Sequence, residues 1–282
     1  MPQFSRLTAT ALTLGTVLAS AGSALAGVGQ PSPWELGLQD ASTPVMVDIV
    51  WFHDFLLWII SAIALFVLVL LAIVVLRFNA RANPTPSRTT HNSLLEVAWT
   101  IVPVVILVAI AVPSFRLLFL ELDNPKPDLT VKATGKQWFW SYSYPDNGNF
   151  EFDSLLVADK DLKPGQPRLL TVDNDLVVPV NKVVHVLVTG ADVIHSFAVP
   201  SFGIKIDAVP GRLNDTWFKA TSEGLFHGQC SELCGKDHAF MPITVKVVSE
   251  PEFNDWIAKE KKNAGLYSTP PTTLAASGPP TR

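Results

Sequence analysis

The chain has 282 residues, of which 48% are hydrophobic and only 16% are charged, and its formal net charge is −4. This balance is too apolar for an ordinary soluble protein and lacks the positive charge of a nucleic-acid-binding protein, so we exclude both classes and expect membrane spans. Cys230 and Cys234 are the only cysteines, too few to hold a chain of this size together by disulfides.

The first 26 residues predict a secretory signal peptide. Arg6 supplies a weak positive charge, Leu7 to Ala21 is apolar and rich in small residues, and Ala24-Leu25-Ala26 matches an A-x-A cleavage site. The alternative interpretation is a disordered tail. A signal peptide indicates a bacterial envelope protein, whose mature chain begins with a periplasmic segment at residues 27–54.

Two uncharged runs predict membrane-spanning helices. Phe55 to Leu76 carries no charge and as a helix would be about 33 Å long, which is enough to cross a bilayer. We place the first transmembrane helix at residues 55–78. Val97 to Phe115 is also uncharged, and we place the second helix at 94–118. Its two internal prolines are tolerated where a neighbouring helix or water satisfies the freed carbonyl groups, so we expect this helix to pack against a partner.

The charges that flank these spans predict their orientation. The connecting loop, residues 79–93, carries Arg81 and Arg88 and no acid, and Arg77 lies just before it. The segment from Glu35 to Asp54 carries four acids and no Lys or Arg. The positive-inside rule places the arginine loop in the cytoplasm and both termini outside. A cleaved signal peptide requires the same orientation, so two independent cues agree.

After residue 118 the pattern changes to short β-like segments separated by proline and glycine. Leu129 to Thr134 alternates between apolar and polar residues, and Val183 to Val188 and Ile243 to Val248 also predict strands. Short strands with regular turns indicate a β-sandwich or barrel over residues 119–250.

The end of the chain predicts a helix and then a tail. Residues 251–264 have proline in the first turn and lysines near the end, as is typical of a helix. Residues 265–282 are rich in Pro, Thr, Ser and Gly, which predicts disorder.

An aromatic segment from Gln137 to Tyr144 is predicted as one strand. Trp138, Trp140, Tyr142 and Tyr144 would then lie on the same face. Core packing is the ordinary explanation for such a row of aromatic side chains.

The residues that carry chemistry lie mainly in one loop near the end of the β-rich region. This loop offers two thiols, Cys230 and Cys234, the imidazole of His238 and the thioether of Met241, while His195 supplies a second imidazole from upstream. Such soft or borderline ligands select copper over calcium or magnesium, and a Cys-His-Met loop with an upstream His is the blue-copper arrangement.

The additional cysteine changes the expected number of metal ions. Two thiolates can bridge two copper ions, and His195 and His238 can supply one imidazole to each. Met241 and a backbone carbonyl near Glu232 can serve as weak axial ligands. Two bridged coppers share one unpaired electron, so bond lengths change little on reduction and electron transfer is fast.

Two other interpretations of the cysteine pair stay open. A disulfide fits the oxidising compartment but leaves His195, His238 and Met241 unexplained. A structural zinc site would use two Cys and two His, but Met241 would be idle and the Cys spacing is only one feature of the usual zinc motif.

Five segments follow one another along the chain: HNSLLE at 91–96, GKQWFWSY at 135–142, DVIHSFAVP at 192–200, DAVPGRLN at 207–214 and GQCSELCGKDHAFMP at 228–242. In content and order they resemble subunit II of haem-copper cytochrome c oxidases of the bacterial aa3 type. The likeness runs from about residue 40 to about residue 262. It implies a two-helix transmembrane hairpin followed by an all-β, cupredoxin-like Greek-key domain with a copper A centre.

The resemblance implies a ligand set of two bridging thiolates, one imidazole for each copper and two weak axial ligands. The bridging thiolates are Cys230 and Cys234. One copper is completed by His195 and Met241, and the other by His238 and the backbone carbonyl of Glu232.

Three further residues take implied roles. The Glu232 side chain matches a ligand of magnesium or manganese shared with the catalytic subunit, although an exposed loop acid is the plain alternative. Trp138 matches the tryptophan through which electrons enter, with core packing as its alternative. Glu96 matches a glutamate at the entrance of a proton pathway, and Ser93-x-x-Glu96 also predicts a capping box that opens the second span.

An acidic surface of the outer domain is implied to meet lysines of cytochrome c. The acids that fit the family positions are Asp146, Asp153, Asp173 and Asp192. The alternative for each single acid is a solvated surface position.

The function implied is that of the electron-accepting subunit of a proton-pumping oxidase in the bacterial inner membrane. Ferrocytochrome c would deliver electrons in the periplasm, and haem in subunit I would reduce oxygen to water; subunit III is a further partner. A fused cytochrome c domain is excluded because the chain lacks Cys-x-x-Cys-His. The alternatives are a copper A subunit of another respiratory reductase, a quinol oxidase subunit without copper, a free electron carrier and a copper chaperone.

Overall fold

The computed structural model describes residues 29–85 and 87–264. The predicted signal peptide, 1–26, and the predicted tail, 265–282, lie outside the described residues. The chain divides into two compact units, one up to Asn124 together with Pro200–Gly203, and one formed by the remainder. Each unit is built from a different kind of secondary structure.

Two long apolar helices make up most of the first unit. Helix α1 is Pro44–Arg77 and helix α2 is Ser93–Leu122, and both are long and apolar enough to cross a membrane. Their apolar side chains are exposed over most of their length, which is unfavourable in water but suits a lipid environment. α1 begins well before the predicted span of 55–78, whereas the predicted span of 94–118 lies inside α2.

The start of α1 is fixed by hydrogen bonds. The Thr43 side chain accepts a hydrogen bond from Met46 N at 3.0 Å and donates one to the Phe202 carbonyl at 2.7 Å. The Ser42 N–H also donates to the Ser201 carbonyl at 2.9 Å. These bonds tie the short segment 200–203 to the first unit.

The start of α2 differs from the prediction. Asn92 is the N-cap, and its side chain accepts a hydrogen bond from Leu95 N at 3.1 Å. Ser93 is already the first residue of the helix, so the predicted Ser93–Glu96 capping box is wrong. Asparagine is among the strongest N-cap residues, which explains why the helix starts one residue earlier than the serine would place it.

The second unit is a β-sandwich, as predicted, followed by one helix. Its ten strands are β1 Leu129–Lys136, β2 Phe139–Ser143, β3 Glu151–Ser154, β4 Leu176–Pro179, β5 Val184–Gly190, β6 His195–Val199, β7 Ile204–Ala208, β8 Asn214–Phe218, β9 Gly224–Cys230 and β10 Pro242–Val248. One sheet has the order β3-β2-β1-β5-β8 and the other β4-β10-β9-β6-β7. Among the named strands, β1 pairs with β5 and β4 with β10 in parallel, and the other pairs are antiparallel.

The core of the sandwich follows from the alternation of side chains along the strands. In β1 every second residue is buried, beginning with Leu129, because successive side chains point to opposite faces of a sheet. β5 shows the same alternation. The buried apolar side chains of the two sheets include Val131, Trp140, Val186, Phe197, Phe226, Ile243 and Val245.

The predicted single strand over residues 137–144 is interrupted by a turn. Lys136 at the end of β1 lies opposite Phe139 at the start of β2, so Gln137 and Trp138 form the tip of a tight hairpin. Trp140, Tyr142 and Tyr144 are buried, but Trp138 and Phe139 are only half-buried. Because residues 137 and 138 are not the Gly, Asn or Asp that usually mark such turns, the sequence pattern does not indicate one here.

Helix α3, Glu250–Asn263, covers one aromatic end of the sandwich, close to the predicted range of 251–264. Its Trp256 packs against Tyr144, Phe150 and Phe152, with ring centroids 5.2, 5.9 and 6.1 Å apart. The helix therefore extends the core beyond the strands.

We expect Tyr144→Phe to lower the free energy of unfolding by about 1–3 kcal/mol, since two buried backbone groups would lose their partner. The Tyr144 hydroxyl donates to the Val177 carbonyl at 2.7 Å and accepts from the Val177 N–H at 3.1 Å. Val177 lies on β4, an edge strand of the second sheet, so this hydroxyl takes the place of a neighbouring strand. Denaturant unfolding of the purified chain in detergent measures the effect.

Tyr142→Phe is the matched control. The Tyr142 hydroxyl is equally buried but has no hydrogen-bond partner among the described residues, so its removal is expected to cost nothing. Equal losses of stability in the two variants would contradict the role given to Tyr144.

Candidate metal centre

Three strand ends meet at one edge of the second sheet. β6 begins with His195, β9 ends with Cys230, and β10 begins directly after Met241. β6 and β10 both flank β9 and run antiparallel to it, which brings these ends to the same edge. The loop between β9 and β10 carries Cys234 and His238, so all five side chains converge there.

The donor atoms of these side chains form one cluster. The Sγ atom of Cys230 lies 3.9 Å from Cys234 Sγ and 3.9 Å from His195 Nδ1. The Sγ atom of Cys234 lies 3.5 Å from His238 Nδ1 and 3.4 Å from Met241 Sδ. His195, Cys230 and Cys234 place their donor atoms within 4.8 Å of one another. The arrangement can therefore hold metal ions.

Glu232 contributes its backbone to this cluster. Its carbonyl oxygen lies 3.3 Å from Cys230 Sγ. The residue itself is exposed, so the carboxylate remains free to face a partner.

The two cysteines are free thiols that lie too far apart for a disulfide. Their sulfur atoms are 3.9 Å apart, whereas a disulfide bond is about 2.05 Å long. Two sulfur atoms in van der Waals contact can instead be bridged by metal ions.

The ionisation of the pair is uneven. Burial raises the pKa of Cys230, but the contacts with His195, with the backbone of Glu232 and Ser196 and with His238 together outweigh burial, and the net pKa is lowered. Burial and the charge on Cys230 raise the pKa of Cys234. Cys230 therefore loses its proton readily, whereas Cys234 loses its proton only against the repulsion of the Cys230 thiolate. A bound metal cation removes this repulsion.

Asp192 orients His195. Its Oδ1 atom lies 2.8 Å from His195 Nε2, which leaves Nδ1 facing Cys230. Burial lowers the pKa of His195, but the contacts with Cys230 and Asp192 outweigh it, and the net pKa is raised. Asp192 is itself held by the backbone N–H groups of Gln137 at 2.6 Å and Val193 at 2.7 Å. A carboxylate on the second nitrogen fixes the orientation of a ligating histidine.

The sequence pattern predicts only a docking role for Asp192 and does not reveal that it positions His195. The Asp-x-x-His spacing was the available signal, because it places the carboxylate beside the imidazole ring at the start of a strand.

Two glycines leave room for functional side chains. A Cβ atom on Gly135 would lie 2.8 Å from the ring of His195, and one on Gly235 would lie 2.9 Å from the ring of Trp138. Gly235 also has a φ angle of +126°, a conformation that other residues rarely adopt. Both positions therefore require glycine.

Trp138 lies against the loop that carries Cys234. Its indole N–H donates a hydrogen bond to the Cys234 carbonyl at 3.3 Å, and the Gln137 side chain donates to the same oxygen at 2.8 Å. The ammonium group of Lys236 lies 5.9 Å from the Trp138 ring centroid. The structure thus brings Trp138 to the candidate metal centre.

Two of the predicted docking acids lie at opposite ends of β1. Asp192 contacts Gln137, just beyond the end of the strand, whereas Asp146 accepts a hydrogen bond from Thr130 N at 2.7 Å near its start. At about 3.3 Å per residue these backbone positions are roughly 23 Å apart. Asp146 is therefore remote from the metal-binding edge.

Asp153 and Asp173 lie close together. Asp173 accepts a hydrogen bond from the N–H of Leu155, and the neighbouring Asn174 side chain donates to the carbonyl of Asp153. Asp153 also lies 3.7 Å from the ammonium group of Lys136, which offsets part of its charge.

Glu96, predicted for a proton pathway, belongs to the first unit, where it is exposed in the first turn of α2.

The sequence profiles and the relatives that match this chain all belong to one family. The sequence profile "Cytochrome C oxidase subunit II, periplasmic domain" matches residues 129–248, and the corresponding transmembrane-domain profile matches residues 31–117. A probable cytochrome c oxidase subunit 2 of Rickettsia bellii (strain RML369-C) is 53% identical over 83% of this chain and 87% of its own length. Cytochrome c oxidase subunit 2 of Cereibacter sphaeroides is 48% identical over 92% of this chain and 90% of its own length.

A solved structure is also similar. It is the crystal structure of the periplasmic domain of subunit II of cytochrome oxidase (CoxB) of Bradyrhizobium japonicum, with 67% identity and a TM-score of 0.47. The match covers 50% of this chain and 99% of that one.

We expect Asp192→Asn to weaken metal binding by about 10–100-fold, since the imidazole of His195 loses the carboxylate that orients it. Titration with copper in the presence of a competing chelator measures the affinity. Asp207→Asn is the matched control, because Asp207 is an exposed acid on neighbouring β7 whose carboxylate has no hydrogen-bond or ion-pair partner among the described residues. Equal affinities for the two variants would contradict the positioning role of Asp192.

Proposed function

Because the chain belongs to the cytochrome c oxidase subunit II family, we propose that it is the electron-accepting subunit of a bacterial haem-copper oxidase. In this proposal the β-sandwich binds a binuclear copper A centre, accepts electrons from ferrocytochrome c and passes them to haem in subunit I. Reduction of oxygen to water in subunit I is coupled to proton pumping, and subunit III completes the complex.

The observation that carries this proposal is the convergence of five soft or borderline donors and one backbone carbonyl oxygen at one sheet edge. The donors are the thiols of Cys230 and Cys234, the imidazoles of His195 and His238, the thioether of Met241 and the carbonyl of Glu232. This donor set fits copper better than a hard cation. Copper, when bound, supplies reversible one-electron transfer, and a pair of ions shares one unpaired electron.

The position of Met241 distinguishes this set from a zinc site. Its thioether is buried and lies 3.4 Å from Cys234 Sγ. Zinc sites with two Cys and two His leave no role for a thioether, whereas copper sites use one as a weak axial ligand. The same intact donor set argues against a copper-less quinol oxidase subunit.

The surrounding residues hold the donors in place. Cys230 and Cys234 are buried, which keeps water away from the sulfur atoms. Asp192 fixes the ring of His195, and Gly135 leaves space for it. A centre whose ligands move little needs little reorganisation when an electron arrives or leaves.

Trp138 is proposed as the residue through which electrons enter. Its half-buried ring forms the tip of the β1–β2 hairpin and hydrogen-bonds to the carbonyl of Cys234. One hydrogen bond therefore connects a surface aromatic ring to the backbone of a proposed bridging ligand. Such a route is short and does not require the donor to approach the buried sulfurs.

Docking of cytochrome c is proposed for the acidic surface. Asp153 and Asp173 form its most compact part, and Asp146 and Asp192 add charge at the two ends of β1. Opposite charges steer association, so the rate should fall as ionic strength rises.

The membrane unit gives the chain two passes through the bilayer. We propose that both chain ends and the β-sandwich face the periplasm, following the arginine loop and the signal sequence. Glu96 then lies at the cytoplasmic end of α2, where it would open a proton pathway into subunit I. The Glu232 carboxylate would bind magnesium or manganese shared with subunit I.

We expect Trp138→Phe to slow reduction of the assembled oxidase by ferrocytochrome c by about tenfold or more, which corresponds to about 1.4 kcal/mol in the activation barrier. The indole N–H that bonds to the Cys234 carbonyl is lost, while the proposed copper ligands are kept. Stopped-flow absorbance measures the rate, and metal analysis checks that the copper content is unchanged.

Phe139→Leu provides a neighbouring control. The Phe139 ring lies 5.3 Å from the ammonium group of Lys136, and it has no N–H that could bond to the Cys234 carbonyl. A rate equal to that of Trp138→Phe, or wild-type rates in both variants, would rule out Trp138 as the route for electrons.

A further inference from the structure

A groove of about 360 Å³ lies between α1 and α2, near the start of α1 and the end of α2. One wall is aromatic, with the rings of Trp51 and Phe55 stacked in parallel planes and their centroids 5.7 Å apart. The other wall is formed by Val112 and Leu117 of α2, among others. The groove lies wholly within the membrane unit and includes none of the proposed copper ligands.

Two opposite charges, Asp48 and Arg116, line this groove without pairing. Neither side chain has a hydrogen-bond or ion-pair partner among residues 29–85 and 87–264, and the two do not form an ion pair with each other. Arg116 is also the only Lys or Arg between Arg88 and Lys126, and the proposed orientation places it on the outer side, where the positive-inside rule disfavours it. Where such a groove faces lipid, a charge is costly unless something pairs with it.

A backbone carbonyl in the same groove also lacks its helical donor. Pro113 has no N–H, so it cannot donate to the carbonyl of Ala109, four residues earlier in α2. Both residues line the groove. In a membrane such a carbonyl needs a donor from a neighbouring helix, water or a ligand.

Together these features predict the chemistry of a ligand. It carries an anionic group that binds Arg116, a cationic group with N–H donors that binds Asp48, and a hydrocarbon chain that packs against the aromatic wall. We propose that the groove binds a zwitterionic phospholipid with a primary ammonium headgroup, of the phosphatidylethanolamine type. Its phosphate bonds to Arg116, its ammonium group bonds to Asp48, and an acyl chain lies along Trp51 and Phe55. This inference rests on the proposed orientation and on residues of the membrane unit, and it does not require copper binding by the other unit.

The test is native mass spectrometry of the purified oxidase complex that contains this chain. After delipidation, the complex is titrated with phosphatidylethanolamine, phosphatidylglycerol and phosphatidylcholine that carry identical acyl chains. The wild type should retain phosphatidylethanolamine most strongly. Arg116→Gln should weaken its retention by about tenfold, the effect of losing one hydrogen bond between charged groups, and Arg116→Lys should restore part of it.

Asp48→Asn separates the two halves of the headgroup site. This variant should still bind phospholipid through Arg116 but should lose the preference for a primary ammonium over phosphatidylcholine and phosphatidylglycerol. Arg77→Gln, at the other end of α1, removes an equal charge away from the groove and should leave retention unchanged. The mass of the complex shows in each case that the chain has assembled.

The proposal is overturned if the wild type shows no preference among the three lipids, or if Arg116→Gln and Arg77→Gln retain lipid equally. Either result would mean that another protein chain or unselective lipid fills the groove. Copper content, measured on the same samples, reports separately on the proposed function, so failure of one does not imply failure of the other.

Discussion

Two buried sulfur atoms, those of Cys230 and Cys234, lie 3.9 Å apart without bonding to each other, and the proposed metal site is built around this contact. Negative charge on both sulfur atoms is unfavourable in that position, because burial and the charge on Cys230 raise the pKa of Cys234, and a bound cation offsets this cost. The neighbouring imidazoles and thioether are soft or borderline donors that suit copper. The proposed electron transfer therefore follows from how the fold holds this pair.

The sandwich delivers these donors from three strand ends and one loop. β6, β9 and β10 are neighbours in one sheet, so His195, Cys230 and Met241 have positions fixed by backbone hydrogen bonds. The other sheet contributes the hairpin tip with Gln137 and Trp138, which bonds to the carbonyl of Cys234. A rigid scaffold thus positions the site from both sheets, which favours small movements on electron transfer.

Much of this arrangement could be predicted from the sequence because ligand types and spacing are local properties. The two apolar runs and the Cys-His-Met loop indicated the membrane hairpin and the metal site directly. The turn at Gln137 and Trp138 could not be predicted, since neither residue is a usual turn former. The role of Asp192 and the remote position of Asp146 also depend on the pairing of β1 with its neighbours, and single residues do not reveal that register. The groove at Arg116 could not be predicted either, because it is lined by residues 48–55 and 109–117, which only the packing of α1 against α2 brings together.

The most direct measurement combines the copper content of the metal-replete chain with its electron paramagnetic resonance spectrum. We expect two copper ions per chain and a seven-line hyperfine pattern, which arises when one unpaired electron is shared by two copper nuclei. A single copper with a four-line pattern, or a copper-free chain in which Cys230 and Cys234 are joined by a disulfide, would contradict it.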